Sequence, residues 1–308
     1  MSVKRSIFIA LCMFILQAVL AFPAFAAEAA ELVGEKTPLF YEVKSGKSVV
    51  YLMGSIHIGK KEMYPLPGEI MDAFEESDYL VLEADFSDQF LGDVFAIVKA
   101  GVYFDDDGLE RHISTETMRE LVKFLKANNL SFKQFRKYKP WFAAMMIEAY
   151  GTLKMGFDAQ YGIDKFFKNR GRDEKEILEL EGAQFQIDLL DSLTNEEQEE
   201  MLKTAIGRAT SDEGIWDQIL RVWLEGDAEK LEEMILEEFG DGTKMSSIGE
   251  KLLLNRNKGM VEKIEGYIET GGKYFVVVGA GHIVGKKGIV DLLEKKEYKV
   301  VRIKYDSE

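Results

Sequence analysis

The alternation of apolar and polar positions along the chain predicts a sheet whose strands are separated by long helical stretches. The runs FYEV at 40–43 and VVYLM at 49–53 flank the turn KSGKS and predict a β-hairpin. DYLVLEADF at 78–86 and KEILELEG at 175–182 are short and apolar, which indicates two further strands. The closing segment at 273–305 predicts a strand, a glycine loop, a helix and a final strand.

Apolar residues spaced three and four apart predict helices in most of the remaining chain. A first helix is expected within 66–77, and STETMRELVKFLKANNL at 114–130 opens with Ser114 as its N-cap. KPWFAAMMIEAYGTLKMG at 139–156 places Pro140 in the first helical turn. The combined pattern predicts an α/β (α+β) fold. It has a central mixed β-sheet flanked by helices, with a large helical insertion between the early strands and the C-terminal β-α-β unit.

The first residues, MSVKRSIFIALCMFILQAVLAFPAFA, have the layout of a secretory signal peptide: a positive start, an apolar run and small residues at its end. The apolar run is shorter than the roughly 20 residues of a spanning helix, which favours cleavage over an uncleaved membrane anchor. We therefore predict a signal peptide over 1–26, a linker over 27–37 and a single domain over 38–308. The mature chain is expected to be secreted or extracytoplasmic, with no stable membrane span.

Charge and cysteine content narrow the classes of partner and site. The net charge of the chain is −15, and the predicted signal peptide holds two basic residues and no acidic ones, so the mature domain is more acidic still. Such a chain repels phosphate backbones, and we expect no nucleic-acid partner. Cys12, the only cysteine, lies in the signal peptide, which excludes disulfides and cysteine ligands from the mature domain. The sequence does not indicate an oligomeric state.

Two of the three histidines occupy the same small pattern, GSIH at 54–57 and GAGH at 279–282, each directly after an apolar run. Two carboxylates also follow predicted strands, Glu83 in LVLEAD and Glu181 in LELEG. Ligands in open α/β sheets gather beyond the carboxyl ends of strands. Imidazole and carboxylate together suit a divalent metal that activates water in a hydrolase. The pattern therefore favours a hydrolytic metal site at one edge of the sheet.

Simpler interpretations stay open for each of these features. A buried histidine hydrogen-bonded to backbone accounts for one GxxH motif as well as a ligand does. The glycine loop GAGHIVGKKG has the spacing GxGxxxG, which departs from the dinucleotide fingerprint. His112 is expected to be a solvated residue before a helix. Arg256 and Asn257 fall within a predicted helix, where such a pair is usually a surface or capping feature, although an arginine beside a metal site could hold an oxyanion.

A set of motifs in fixed order resembles the TraB/PrgY/GumN family, which also contains the Tiki proteases. The resemblance runs from about 41 to 303. It is carried by GSIHIG, LVLEAD, KPW, YGIDKFF, LELEGAQFQIDLL, VWLEGD, LNRNKGM and VVVGAGHIVGKKGIVDLL. Each motif is weak alone, and the order of all of them makes the resemblance specific.

The resemblance implies metal-dependent hydrolysis of a peptide bond, with a peptide or protein as substrate. It implies His57, His282 and Glu83 as metal ligands, and Glu83, Glu181, Arg256 and Asn257 as catalytic residues. The implied cofactor is a divalent metal, manganese or cobalt, with zinc as the alternative. Which glutamate is the general base stays open. The alternative functions are a non-catalytic peptide- or haem-binding module of the same fold and a scaffold whose helices bind a protein.

Overall fold

The computed structural model describes residues 36–86, 90–211 and 214–305. The predicted signal peptide at 1–26 lies outside the described residues, as does most of the predicted linker. Within the described part of the chain, no helix combines the length and the apolar character needed to cross a membrane.

Six strands form one mixed sheet, as the sequence predicts. They are β1 (Phe40–Ser45), β2 (Ser48–Ser55), β3 (Tyr79–Leu82), β4 (Glu176–Glu179), β5 (Gly272–Gly279) and β6 (Val300–Arg302), in the spatial order β4-β3-β5-β2-β1-β6. β1 and β2 form the predicted antiparallel hairpin. β4, β3, β5 and β2 run parallel to one another, so their carboxyl ends share one edge of the sheet.

The closing β-α-β unit spans the sheet more widely than its short sequence indicates. β6 pairs with β1 rather than with β5, so the chain passes over two strands between β5 and β6. β5 itself lies in the middle of the sheet between β3 and β2. Its side chains Phe275 to Val278 are fully buried, as is typical of a central strand covered on both faces.

Helices account for most of the chain between the strands. They are α1 (Gly68–Glu76), α2 (Phe90–Gly101), α3 (Thr115–Ala127), α4 (Phe132–Phe135), α5 (Pro140–Lys154), α6 (Ile163–Gly171), α7 (Ala183–Asp191), α8 (Asn195–Ala209), α9 (Ile215–Glu225), α10 (Ala228–Phe239), α11 (Ser246–Gly249), α12 (Asn255–Thr270), α13 (Ala280–Ile283) and α14 (Ile289–Lys295). Ser114 caps α3 through its hydroxyl, which accepts from the Thr117 amide, and Pro140 opens α5. Both helix starts are confirmed.

The helical insertion shares the hydrophobic core of the sheet and also contains a buried ion cluster. α5 is apolar on nearly all sides, with Trp141 and Phe142 fully buried. Arg208 of α8 donates to Glu148 of α5 at 3.1 Å and also pairs with Glu238 of α10, and all three side chains are buried. One guanidinium thus ties together three helices, at the cost of holding two carboxylates away from water.

The ion cluster predicts a stability change that depends on pH. Burial raises the pKa of Glu148 from its ordinary 4.5 to about 7, against the attraction of Arg208 and with added repulsion from Glu238. The native state therefore binds a proton that the unfolded chain has lost between these two pH values. This stabilisation is complete below pH 4.5 and disappears as the pH rises through about 7.

We expect Glu148→Gln to remove this slope, because the amide cannot titrate. Relative to the variant, the wild-type free energy of unfolding should fall by up to roughly 3 kcal/mol between about pH 4.5 and about pH 7. Urea unfolding across this range measures it, with Glu75→Gln on the exposed Arg170 ion pair as the control. Equal slopes in wild type and Glu148→Gln would contradict the prediction.

Candidate functional site

The four side chains expected at strand ends lie at the same edge of the sheet. Ser55, the last residue of β2, pairs with Gly279, the last residue of β5, so that GSIH and GAGH leave neighbouring strands at the same level. Glu83 follows β3 directly, and Glu181 comes two residues after β4. The structure therefore brings His57, His282 and both glutamates to one end of the parallel strands.

The two GxxH motifs pack against each other. A Cβ added at Gly54 would lie 3.3 Å from the Cβ of Ala280, so the glycine allows the two strand ends to approach closely. His57 and His282 are buried residues, 4% and 0% exposed. Burial is the main cause that lowers the pKa of His282, and a positive charge on His57 would lower it further.

Arg256 joins the two glutamates. Its Nε lies 2.9 Å from Glu181 Oε1, and its Nη2 donates to Glu181 Oε2 at 2.6 Å and to Glu83 Oε2 at 2.5 Å. Gln186 of α7 donates to the same two carboxylates at 3.1 and 3.3 Å. Because this bidentate ion pair is buried, it fixes both carboxylates in place. The arginine predicted near a metal site thus holds the glutamates.

A local irregularity of the backbone supports the arginine. Residues Glu250–Leu254 form a π-helical turn directly before α12, where Arg256 and Asn257 lie in the second and third positions. Arg256 Nη1 donates to the Leu252 carbonyl at 3.0 Å. Such turns leave carbonyl groups outside the regular helical bonding and are frequent at functional sites. The sequence placed this pair in a helix correctly but gave no sign of the turn before it.

Hydrogen bonds settle the tautomer of His282. Its Nδ1 lies 2.5 Å from Asn257 Oδ1, and the Asn257 amide donates in turn to the Lys287 carbonyl at 2.8 Å. We therefore assign Nδ1 as the protonated nitrogen and Nε2 as a lone pair. Nε2 is fully buried and has no hydrogen-bond partner among the described residues, although it lies 3.8 Å from Glu83 Oε1. A buried acceptor of this kind is uncommon and needs a ligand or another role.

Nδ1 of His57 contacts a carboxylate, whereas Nδ1 of His282 contacts an amide oxygen. His57 Nδ1 lies 2.8 Å from Asp164 Oδ2, near the start of α6. The second oxygen of Asp164 accepts from the Ser55 hydroxyl at 3.0 Å. Asp164 belongs to YGIDKFF, one of the motifs that carry the family resemblance, and the sequence predicts no role for it. An aspartate in the first turn of a helix is usual, so its sequence position alone does not indicate this contact.

Burial and charge move the pKa values of the site in opposite directions. Burial lowers the pKa of His282 to about 3, against the attraction of Glu83. Burial also disfavours a charge on His57, but the Asp164 carboxylate, with help from Glu83, outweighs it and raises the pKa of His57. For Glu83, burial acts upward, yet Arg256, both imidazoles and the Gly279 amide hold its pKa at about 2. Glu83 is thus ionised and His282 neutral near pH 7.

These residues fit a divalent cation in part. The buried lone pair of His282 is the donor that such an ion takes, and Glu83 adds a carboxylate beside it. His57 is held at Nδ1 by a carboxylate, the arrangement usual behind metal-binding imidazoles. Yet Glu83 already accepts from Arg256 and from the Gly279 amide at 2.6 Å. No three side chains of metal-binding type are grouped as an ion would need among residues 36–86, 90–211 and 214–305.

Two other side chains bear on the description of the site. Trp223, near the end of α9, is 1% exposed and donates through Nε1 to the Gly54 carbonyl at 2.8 Å. It therefore also anchors the first GxxH motif. His112, expected to be solvated, is half-buried, with Nε2 2.7 Å from Asp107 and its ring stacked on Tyr103. It is the one histidine outside the site.

We expect Arg256→Met to destabilise the protein strongly, because it leaves two buried carboxylates without their cation. Loss of one partner from a buried ion pair costs about 3–5 kcal/mol. Arg170→Met is the matched control, since Arg170 pairs with Glu75 on the surface. The control should change the free energy of unfolding by about 0.5 kcal/mol or less. Urea unfolding measures both variants, and similar small effects in the two would contradict the buried network.

The chain matches known proteins along most of its length. It is 27% identical over 249 residues to the uncharacterized protein YbaP of Escherichia coli (strain K12), covering 80% of this chain and 89% of that protein. The YbaP of Shigella flexneri is 28% identical over 244 residues, with coverage of 79% and 87%. An uncharacterized protein of Treponema pallidum (strain Nichols) is 22% identical over 279 residues, with coverage of 86% and 82%. No solved structure gives a significant match.

The family assignment rests on a match that includes every residue of the site. Residues 39–302 match the TraB/PrgY/gumN family as one continuous stretch. This range begins before β1 and ends with β6, so it contains the whole sheet and both GxxH motifs. The protein therefore belongs to the TraB/PrgY/gumN family.

Proposed function

We propose that this protein is a secreted, metal-dependent hydrolase that cleaves peptide bonds. The observation that carries the proposal is the fully buried Nε2 lone pair of His282, which has no hydrogen-bond partner among the described residues and faces the ionised Glu83. An unpaired buried acceptor is costly unless a ligand uses it. A divalent cation would satisfy the lone pair and the nearby carboxylate together.

The charge of the site supports the same proposal. Glu83 and Glu181 share a single guanidinium, that of Arg256, so the buried network carries an excess of negative charge. Asp164 adds a further carboxylate behind His57. In a low-dielectric interior this excess favours a bound cation over a bound anion. Manganese or cobalt is the metal implied by the likeness to Tiki proteases, and zinc is the alternative.

His57, His282 and Glu83 are the residues that would hold the ion. Such an ion, when bound, lowers the pKa of water toward about 7 and polarises a carbonyl group. Asn257 and Asp164 orient the two imidazoles through Nδ1, which places the lone pair of each neutral ring on Nε2, the tautomer that ligands require. Arg256 keeps Glu83 in place and ionised.

The two glutamates differ in what they can do with a proton. With a pKa of about 2, Glu83 is a poor proton acceptor near neutral pH, which favours a role as ligand or electrostatic stabiliser. Glu181 is held by three hydrogen bonds from Arg256, two of them from Nε, and by one from Gln186. We assign Glu181 a supporting role in fixing the arginine.

The cellular location in this proposal comes from the N-terminal sequence alone. The charged start and the apolar run of 1–26 have the form of a signal peptide, which would deliver the domain outside the cytoplasm. A peptide or protein substrate is then expected on the outer side of the membrane. Sequencing the N-terminus of the mature protein tests cleavage near residue 26.

We expect His57→Ala and His282→Ala to abolish hydrolysis, because each removes a direct ligand. The loss in kcat/KM should exceed the roughly 10–100-fold that is typical when a group behind a ligand is removed. The measurement is cleavage of a fluorogenic peptide library with added Mn²⁺ or Co²⁺, before and after chelation. Metal content per chain is measured on the same samples.

His112→Ala is the matched control, since His112 is a partly buried histidine outside the site. It should retain wild-type metal content and turnover. Full metal content and turnover in His57→Ala and His282→Ala, as in the control, would refute the proposal. Peptide that binds and is released intact would support the binding-module alternative, and an intense visible absorption band after haem addition would support a haem protein.

A further inference from the structure

The segment Tyr161–Asp164 of the YGIDKFF motif is built against the first GxxH motif. The Ile163 amide donates to the Ile56 carbonyl at 3.0 Å, which ties the start of α6 to the residue before His57. Gly162, the residue before α6, lies so close to His57 that an added Cβ would overlap the His57 carbonyl. Only glycine permits this approach of the two backbones.

The Asp164 side chain completes the contact. It is 2% exposed, and both of its oxygens are used within the GxxH segment: Oδ1 by the Ser55 hydroxyl at 3.0 Å and Oδ2 by His57 Nδ1 at 2.8 Å. Ser55 is the last residue of β2 and is itself buried. The carboxylate is therefore held at a fixed angle by a strand end while it contacts the ring.

An ionised carboxylate can only accept hydrogen bonds, so the neutral imidazole must carry its proton on Nδ1. Nε2 then holds the lone pair. In contrast, the Asp107 carboxylate contacts His112 through Nε2. Pairing with an aspartate thus does not itself select Nδ1. The placement of Asp164 beside Nδ1 of His57 decides which ring nitrogen carries the proton.

We propose that Asp164, clamped by Ser55 and brought close by Gly162, is a positioning residue that fixes the ring orientation and the Nδ1–H tautomer of His57. The use of that tautomer to bind a metal rests on the proposed function. The tautomer itself is a property of the protein without metal, so the two can be tested apart.

The test is ¹⁵N NMR of the metal-free protein labelled at histidine. The chain has three histidines, and substitution of each by Gln assigns its signals. At a pH where the rings are neutral, one-bond and two-bond couplings show which nitrogen of each ring is protonated. We expect His57 to be almost entirely the Nδ1–H form and His112 to be mainly the Nε2–H form.

Asp164→Ala should reduce the Nδ1–H fraction of His57 to about half or less, because the ring then loses the acceptor that selects it. Ser55→Ala should lower the Nδ1–H fraction of His57 by a smaller amount. Asp164→Asn keeps an acceptor oxygen and the side-chain volume, so most of the Nδ1–H form should be preserved. Asp107→Ala is the matched control and should alter His112 alone. Mn²⁺ affinity, measured by calorimetry, should fall roughly 10–100-fold in Asp164→Ala.

A wild-type His57 that is mainly Nε2–H, or an unchanged tautomer in Asp164→Ala, would overturn the proposal. If Asp164→Ala does not fold, the proposal is tested by comparing the His57 tautomer in the wild type with that in Ser55→Ala. A protein that shows the tautomer shift but neither binds Mn²⁺ nor cleaves peptides would leave the positioning role standing and refute the hydrolase. If Asp164→Ala loses cleavage while the tautomer of His57 stays unchanged, the positioning role is refuted and the hydrolase proposal stands.

Discussion

The parallel pairing of β2 with β5 is the constraint on which the site depends. Each residue of β2 faces a fixed partner on β5, and the last pair, Ser55 with Gly279, sets both GxxH motifs at one level. A slip of one residue in this register would turn the side chains of a strand to the opposite face of the sheet. The side chains after the strands would no longer meet. Register is strongly specified here because β5 is buried on both faces.

Around the paired strands β2 and β5, the protein buries charged groups and pairs each with an opposite charge. Arg256 with two glutamates at the sheet edge, and Arg208 with two glutamates in the helical insertion, follow the same plan of one guanidinium for two carboxylates. Buried clusters of this kind add little net stability and penalise any arrangement in which a partner is missing. In the site they hold glutamates in one orientation. In the insertion they hold three helices together.

The sequence predicts which elements exist better than it predicts what their side chains touch. Apolar runs locate the strands, and the residues directly after them identify His57, His282 and Glu83, because strand ends at one edge share a location. The contacts of Asp164 and Gln186 could not be foreseen, since each depends on how a helix docks onto the sheet. The position of β6 beside β1 depends likewise on the path of a crossover, to which hydrophobic periodicity is insensitive.

The middle position of β5 has a consequence for the order in which the molecule can assemble. This strand comes near the end of the chain, yet it separates β3 from β2, which are both made early. Until β5 arrives, the hairpin and the β3–β4 pair have no shared hydrogen-bonded neighbour. Pairing β5 with β2 joins residues as far apart in sequence as Ser55 and Gly279, and the chain between them is closed against its conformational entropy. Contacts between residues so far apart in the sequence form slowly. A chain halted during synthesis before residue 272 therefore has neither a continuous sheet nor the second imidazole of the candidate site.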